Sequence, residues 1–220
     1  FWGYTTDGLI QTQEQLNAVK RAEFQTTAEL GDVLFVDTNG DGKLDSSDRC
    51  MIGNPIPDII YGINMGMAWK GFDLNLQFGG TIGNQIFNAM RYYTYFPNDI
   101  TNKDRALMNY WTPNNTNTDI PRLTATDVND NDRFSDMYVE NGTYFRLRNA
   151  QLGYTLPASL TQRIKLQKVR FYVSGQNLFT ISSYSGMDPE VGQSSSLSRG
   201  IDYGIYPQNI SFTGGINVTF

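Results

Sequence analysis

The sequence predicts an all-β chain: antiparallel strands of a transmembrane β-barrel with long extracellular loops. Three observations predict it. Several segments alternate apolar and polar residues with a period of two, which gives a strand one apolar and one polar face. Short and long connections alternate between those segments, as inner turns and outer loops do in membrane barrels. No apolar run reaches the roughly 18 residues of a helical span, yet one strand face after another is apolar.

The elements follow in chain order. Phe1 to Tyr4 reads as the end of an earlier strand, followed by a long polar connection over 5–58. Between Ile59 and Lys70 one face collects Tyr61, Ile63, Met65, Met67 and Trp69. Lys70-Gly71 makes a tight turn into Phe72, Leu74, Leu76, Phe78, Gly80 and Ile82, which alternate with polar or small residues. Each arm of this hairpin is near the ~9–11 residues that cross a bilayer. Asn64, Lys70, Asp73, Asn75 and Gln77 are expected on the inner face.

A second long connection covers 83–138, in which Lys103 to Trp111 is weakly helical and stops before Pro113. A third strand spans roughly Val139 to Leu156. Phe145 and Leu147 set one phase, while Ala150, Leu152, Tyr154 and Leu156 set the other, so one extra residue is expected as a bulge near Arg148-Asn149. Pro157 to Leu166 is a short connection to a fourth strand, Gln167 to Ser182, and a long connection follows over 183–207.

The fifth strand is Ile210 to Phe220. Ile210, Phe212, Gly214, Ile216, Val218 and Phe220 share one face, and the sequence stops on Phe220 without a polar tail. Phe212, Ile216, Val218 and Phe220 are expected to act as a barrel-assembly signal, because an exposed apolar edge is an aggregation hazard in water and open edges are not tolerated in lipid. Trp69, Phe72, Tyr154, Phe171 and Phe220 suit an interfacial girdle or, equally, the ends of an ordinary core. Five strands fall short of the roughly eight of the smallest barrels, so the sequence is expected to be a C-terminal piece of something larger. The beginning, Phe-Trp-Gly-Tyr, reads as internal to a longer polypeptide. A soluble β-sandwich with these apolar faces turned to a core is the competing reading.

Composition narrows the function classes. A net charge of −5 argues against wholesale nucleic-acid binding, which needs a basic footprint. Cys50 stands alone, so no internal disulfide forms, and it reads as a small packing residue. With no histidine, Ser-His and Cys-His catalysis and histidine-based zinc sites are ruled out. Neither a nucleophile elbow nor a phosphate-binding glycine loop occurs, and nothing argues for an enzyme.

One segment carries metal chemistry. Residues 37–48 fit a twelve-residue calcium loop, with Asp37, Asn39 and Asp41 at positions 1, 3 and 5, and Gly42 at the sharp turn. Lys43 offers its carbonyl at position 7, Asp45 stands at 9 and Asp48 at 12. Asp48 is shorter than the usual Glu, so the loop must approach more closely or lose a ligand. Its flanks do not read as long helices, and the expected role of Ca2+ is structural. A metal-free Asx-rich turn is the alternative.

In the second long connection, Tyr92, Tyr93, Tyr95 and Phe96 are candidate contacts to substrate or to a lid protein. Such a cluster stacks on sugars, builds protein interfaces or simply packs its own loop, and the sequence leaves the three open.

Taken in order, GDVLFVDTNGDGKLDSSDRCMIGNPIPD, NGTYFRLRNAQLGYTLP, VRFYVSGQNLFT, MDPEV and GGINVTF resemble the C-terminal part of SusC/RagA-type TonB-dependent outer-membrane transporters of Bacteroidetes. The resemblance implies a barrel of about 22 strands with an N-terminal plug. It also implies energy coupling through TonB and a SusD-like surface lipoprotein as lid. Its expected location is the outer membrane, in contact with outer-membrane lipid, and its expected cargo is an oligosaccharide or, in some members, a peptide. A passive porin-like barrel and a soluble calcium-dependent carbohydrate-binding β-domain are the alternatives from other classes.

Overall fold

The structure is a computed structural model, and it describes residues 1–96, 102–192 and 198–220. Two compact units emerge. The strand unit comprises Ile56–Asn84, Asn141–Glu190 and Ile205–Phe220; the connection unit comprises Phe1–Pro55, Gln85–Glu140 and Val191–Gly204.

The strand unit is an antiparallel meander of five strands: β1 (Ile59–Trp69), β2 (Phe72–Ile82), β3 (Tyr144–Thr155), β4 (Lys168–Ser182) and β5 (Ser211–Thr219). Spatial order equals chain order, as neighbouring elements joined by hairpin-type connections favour. Lys70 and Gly71 both have positive φ, 47° and 90°, as a two-residue turn matching the strand twist requires. The other connections alternate short and long as the sequence indicates, so every long segment leaves the same end of this sheet.

The bulge falls where the phase change places it. Gln77 pairs with Asn149 and Phe78 with Leu147, leaving Arg148 as the extra residue of β3. β4 answers with a wider irregularity between Gln176 and Phe179, where Asn177 has φ of 52°.

This register aligns the apolar positions into rows across the sheet. Trp69, Phe72, Tyr154, Phe171 and Ile216 form one row at the short-turn end. Met67, Leu74, Leu152, Val173 and Gly214 form the next, then Met65, Leu76, Ala150, Gly175 and Phe212. Aromatics return with Tyr61, Phe78, Phe145 and Phe179, where Phe145 stacks on Phe78 at 5.2 Å and Tyr61 at 6.4 Å. Two aromatic bands thus flank an aliphatic belt on one face. From Phe72 to Gly80 is about 27 Å along the strand at ~3.4 Å per residue, comparable with the ~25 Å apolar band of membrane barrels once strand tilt is allowed for. Met67, Val173 and Phe212 are 69%, 60% and 79% exposed, so the aliphatic belt lies open among the described residues.

Two strand expectations need correction. Val139–Asn141 is separate from β3 and joins Gln85–Asn88 in a small sheet. The break is local, because the Asn141 side chain accepts from the Thr143 amide at 2.9 Å while the Gly142 amide donates to Asn84. The start of the chain is also no barrel strand: Trp2–Gly3 pairs with Cys50–Met51 in the connection unit.

That unit holds the chain's buried core. Tyr4, Leu9, Val33, Phe35 and Trp111 form one cluster, and Phe87, Ala89, Phe96 and Tyr138 another. Helix α1 (Gln13–Arg21) opens with a capping box in which Thr12 and Gln15 satisfy each other's backbone amides. Its T-x-x-Q signal is legible in the sequence but lies in a segment otherwise read as a loop. Within Lys103 to Trp111 the helical part shrinks to a 3-10 stretch, Arg105–Asn109. Among the described residues no helix is long and apolar enough to cross a membrane.

Candidate functional site

The acidic loop lies between short strands, Val33–Phe35 and Cys50–Met51, in keeping with flanks that are not helical. Gly40 and Gly42 take φ of 77° and 78°, which lets the chain curl back on Asp37. Asp37 accepts from the Gly40 amide at 2.7 Å and the Gly42 amide at 2.9 Å. The Gly42 amide is the main reason its carboxyl lies below the ordinary range. Asn39 accepts from the Asp41 amide, and Asp41 from the Lys43 amide, both at 2.9 Å. The Ser47 amide holds Asp45 down in the same way. Asp48 is fully buried, and its carboxylate accepts from the Thr38 amide at 3.1 Å and the Asp45 amide at 2.9 Å.

The side chains are therefore turned to the amides of their own loop. Among the described residues no three acidic or thiol side chains converge on one point. The donor set still fits a hard cation, since a carboxylate oxygen accepting one amide bond keeps a second lone pair and every candidate ligand is an oxygen.

The aromatic segment forms α2 (Ala89–Thr94) and its C-terminal cap, Tyr95. The rings mostly pack inward. Phe96 is buried 6.2 Å from the Tyr138 ring, and Tyr92 meets Phe87, Tyr93 and Tyr138. Arg91 lies 4.9 Å over Tyr95 and forms an ion pair with Asp119. Tyr93, 52% exposed, is the ring left turned to solvent.

On β5, Phe212, Ile216 and Val218 are exposed on the apolar face, at 79%, 61% and 42%, and Phe220, just past its end, is 83% exposed. The opposite face is polar. There Asn64 pairs with Gln77, and Asp73 accepts from Arg170 through both carboxylate oxygens, at 2.8 and 2.5 Å.

A second arginine network ties the MDPEV segment to β3. Arg146, 2% exposed, donates to Asp188 at 2.5 Å, Glu190 at 2.7 Å and Thr180 at 2.8 Å. Arg148 adds a bond to Glu190 at 3.1 Å. The motif is visible in the sequence; its arginine partners, some 40 residues earlier, are not.

Comparison with known proteins fixes the class. No family profile matches the chain. It is 38% identical to TonB-dependent receptor P3 of Formosa agariphila over the whole of this chain and 22% of that protein. It is 30% identical to TonB-dependent receptor SusC of Bacteroides thetaiotaomicron over 85% of this chain and 17% of that protein. The structure of the RagAB peptide importer in its closed-closed state superposes with a TM-score of 0.75 at 27% identity, covering 100% of this chain and 23% of that one.

The fold and these likenesses define a wall segment of an outer-membrane β-barrel, not an enzyme. The chain belongs to the SusC/RagA-type TonB-dependent transporters. It spans about a fifth of the length of the relatives it matches.

Proposed function

We propose that this segment is the C-terminal wall of an importer that takes up oligosaccharides across the outer membrane, driven through TonB and assisted by a SusD-like surface lipoprotein. The observation that carries the reading is the unbroken apolar face of the five-stranded sheet, banded by aromatics at both ends. Such a face belongs against lipid, and the polar face then turns to the lumen and plug. Phe212, Ile216, Val218 and Phe220 complete the outward face of the last strand and serve as its assembly signal. Tyr93 is the member of the aromatic cluster available to the lid or the cargo.

In this reading Asp37, Asn39, Asp41, Lys43, Asp45 and Asp48 hold a structural Ca2+. The ion would cross-link a connection that otherwise relies on its own amide bonds. Peptide cargo is the second reading, favoured by the likeness to the RagAB peptide importer.

The test is to tag the protein in its native outer membrane and measure its denatured intact mass together with whatever co-purifies. A mass several times 24.8 kDa with a lipoprotein partner supports the importer. A mass of 24.8 kDa with no partner sinks it.

A further inference from the structure

The aliphatic belt is not level. Two hollows of about 380 and 190 Å3 sink into it, and Leu152 and Val173 line both, so they adjoin as one trough over β3, β4 and β5. At one end it is bounded by Phe72, Tyr154 and Phe171, members of the aromatic row beside the short turns. At the other it reaches Ala150, Gly175 and Phe212, two rows further along the strands. Leu178 closes this second end. It belongs to the irregularity in β4 and lies over Gly175, where an added Cβ would stand 2.7 Å from its Cδ2. The floor is open at Gly214, where an added Cβ would meet only the Tyr172 carbonyl oxygen, at 3.9 Å.

The dimensions select a leaflet. From Phe171 to Gly175 is about 14 Å along the strand at ~3.4 Å per residue, about half of the ~25 Å apolar band of a membrane barrel. The trough occupies the half of the belt next to the short turns. In outer-membrane barrels the short turns face the periplasm and the long loops face outward. This half therefore meets the periplasmic leaflet, which is built of phospholipid.

The charge at the open end agrees. The connection from β3 to β4 and the first residue of β4 bring Arg163, Lys165 and Lys168 there, all exposed. Residues 156–169 include no acidic side chain, although the whole chain carries −5. Lys70 stands in the other short turn of the same end, 4.7 Å from the Trp69 ring centroid. Asp73, the acidic side chain of that end, is already bound by Arg170. Cations beside an apolar slot match a phosphate headgroup that carries hydrocarbon. Lipopolysaccharide would approach from the opposite leaflet, and a second barrel would present a convex wall, which does not fill a trough.

We propose that this trough is a phospholipid site: one acyl chain lies between the Phe72, Tyr154 and Phe171 band and Leu178, and the phosphate rests on the cations of the β3–β4 connection. The proposal rests on the reading of this face as the lipid-facing wall of the importer and gives that wall a specific ligand.

The test is native mass spectrometry of the full-length transporter, delipidated in detergent and then titrated with palmitoyl-oleoyl phosphatidylglycerol. The expected result is a phospholipid adduct that survives removal of the detergent. Gly214→Leu and Val173→Phe, which fill the trough, should each lose it. Replacing Arg163, Lys165 and Lys168 together by Gln should weaken it. Ile63→Phe, on the same face of β1 but outside the trough, should keep it. Heat-modifiable migration in gels identifies the variants that have folded. No adduct in the wild type, an adduct kept by a folded filling variant, or retention unchanged without the three cations overturns the proposal. So does wild-type protein that leaves its native membrane carrying only lipopolysaccharide, or a dimer that the filling variants split. Uptake by cells is measured separately. If wild-type uptake depends on TonB but no adduct forms, only the trough is wrong. If wild-type uptake ignores TonB, the importer reading falls.

Discussion

Arg170 on β4 and Asp73 on β2 are joined although β3 runs between them, and they meet over Gly153. A Cβ built at Gly153 would stand 2.4 Å from Arg170 Nη2 and 2.5 Å from Asp73 Oδ2. The absent side chain is what lets three strands be clamped by one ion pair on the polar face. Gly153→Val should therefore separate the pair. Asp73→Ala should strand the Arg170 guanidinium at a cost of about 2 kcal/mol, the range for hydrogen bonds to charged groups. Urea unfolding of the full-length barrel in detergent checks this, and unchanged midpoints in both variants would show the clamp to be idle.

Arg146 makes a stronger case. Its guanidinium and the Asp188 carboxylate are both nearly inaccessible, so removing either partner leaves a buried charge, at about 3–5 kcal/mol. Arg146→Met should lower the unfolding midpoint more than Arg148→Met, whose side chain is 44% exposed. Equal effects from the two would contradict the burial argument.

The same network sets a pH dependence. Burial acts to raise the Asp188 carboxyl, but the Gln208 and Glu190 amides and Arg146 outweigh it and hold it below its ordinary 3.8. A carboxyl with a depressed folded value contributes stability that is complete above its unfolded value and is lost as pH falls through the folded one. Stability should be flat from about pH 7 to 5 and fall below about pH 4, with a smaller fall in Asp188→Asn. A pH series of melting temperatures decides.

For the acidic loop, calorimetric titration should show Ca2+ binding tighter than about 10⁻³ M, weakened at least tenfold by Asp41→Ala. Asp48→Ala should destabilise the protein even in chelator, because Asp48 also satisfies the Thr38 and Asp45 amides. No heat of binding in the wild type removes the metal assignment and leaves Asp48 a structural role alone.

On the last strand, Phe212 and Thr213 are neighbours on opposite faces. Phe212→Arg places a cation in the aliphatic belt, at about 2–4 kcal/mol near the bilayer midplane, whereas Thr213→Arg faces the lumen. The first should reduce heat-modifiable, folded barrel in the outer membrane and the second should not. The reverse order would mean the faces are assigned the wrong way round.

What could be read from the chain in one dimension was whatever depends on near neighbours. The period-two alternation located four of the five long strands to within a residue or so at each end and the third from Tyr144 onward, because each side chain's face is set by its own position. Lys70-Gly71 declared the turn, and the phase change between Leu147 and Ala150 declared the bulge at Arg148, since one extra residue is the only way to keep both halves of β3 apolar on one side. The oxygen spacing of the acidic loop was equally local.

Only the tertiary structure decided where distant segments meet. It drew Trp2–Gly3 to Cys50–Met51, turned Tyr92 and Phe96 onto Tyr138, set Asp188 against Arg146, and brought Arg49 and Asp132 to one pocket. Alternation says which way a side chain points but not what stands opposite. Across gaps of about 40 to 85 residues that partner is chosen by packing and charge satisfaction in the folded connections, where no periodicity survives to report it.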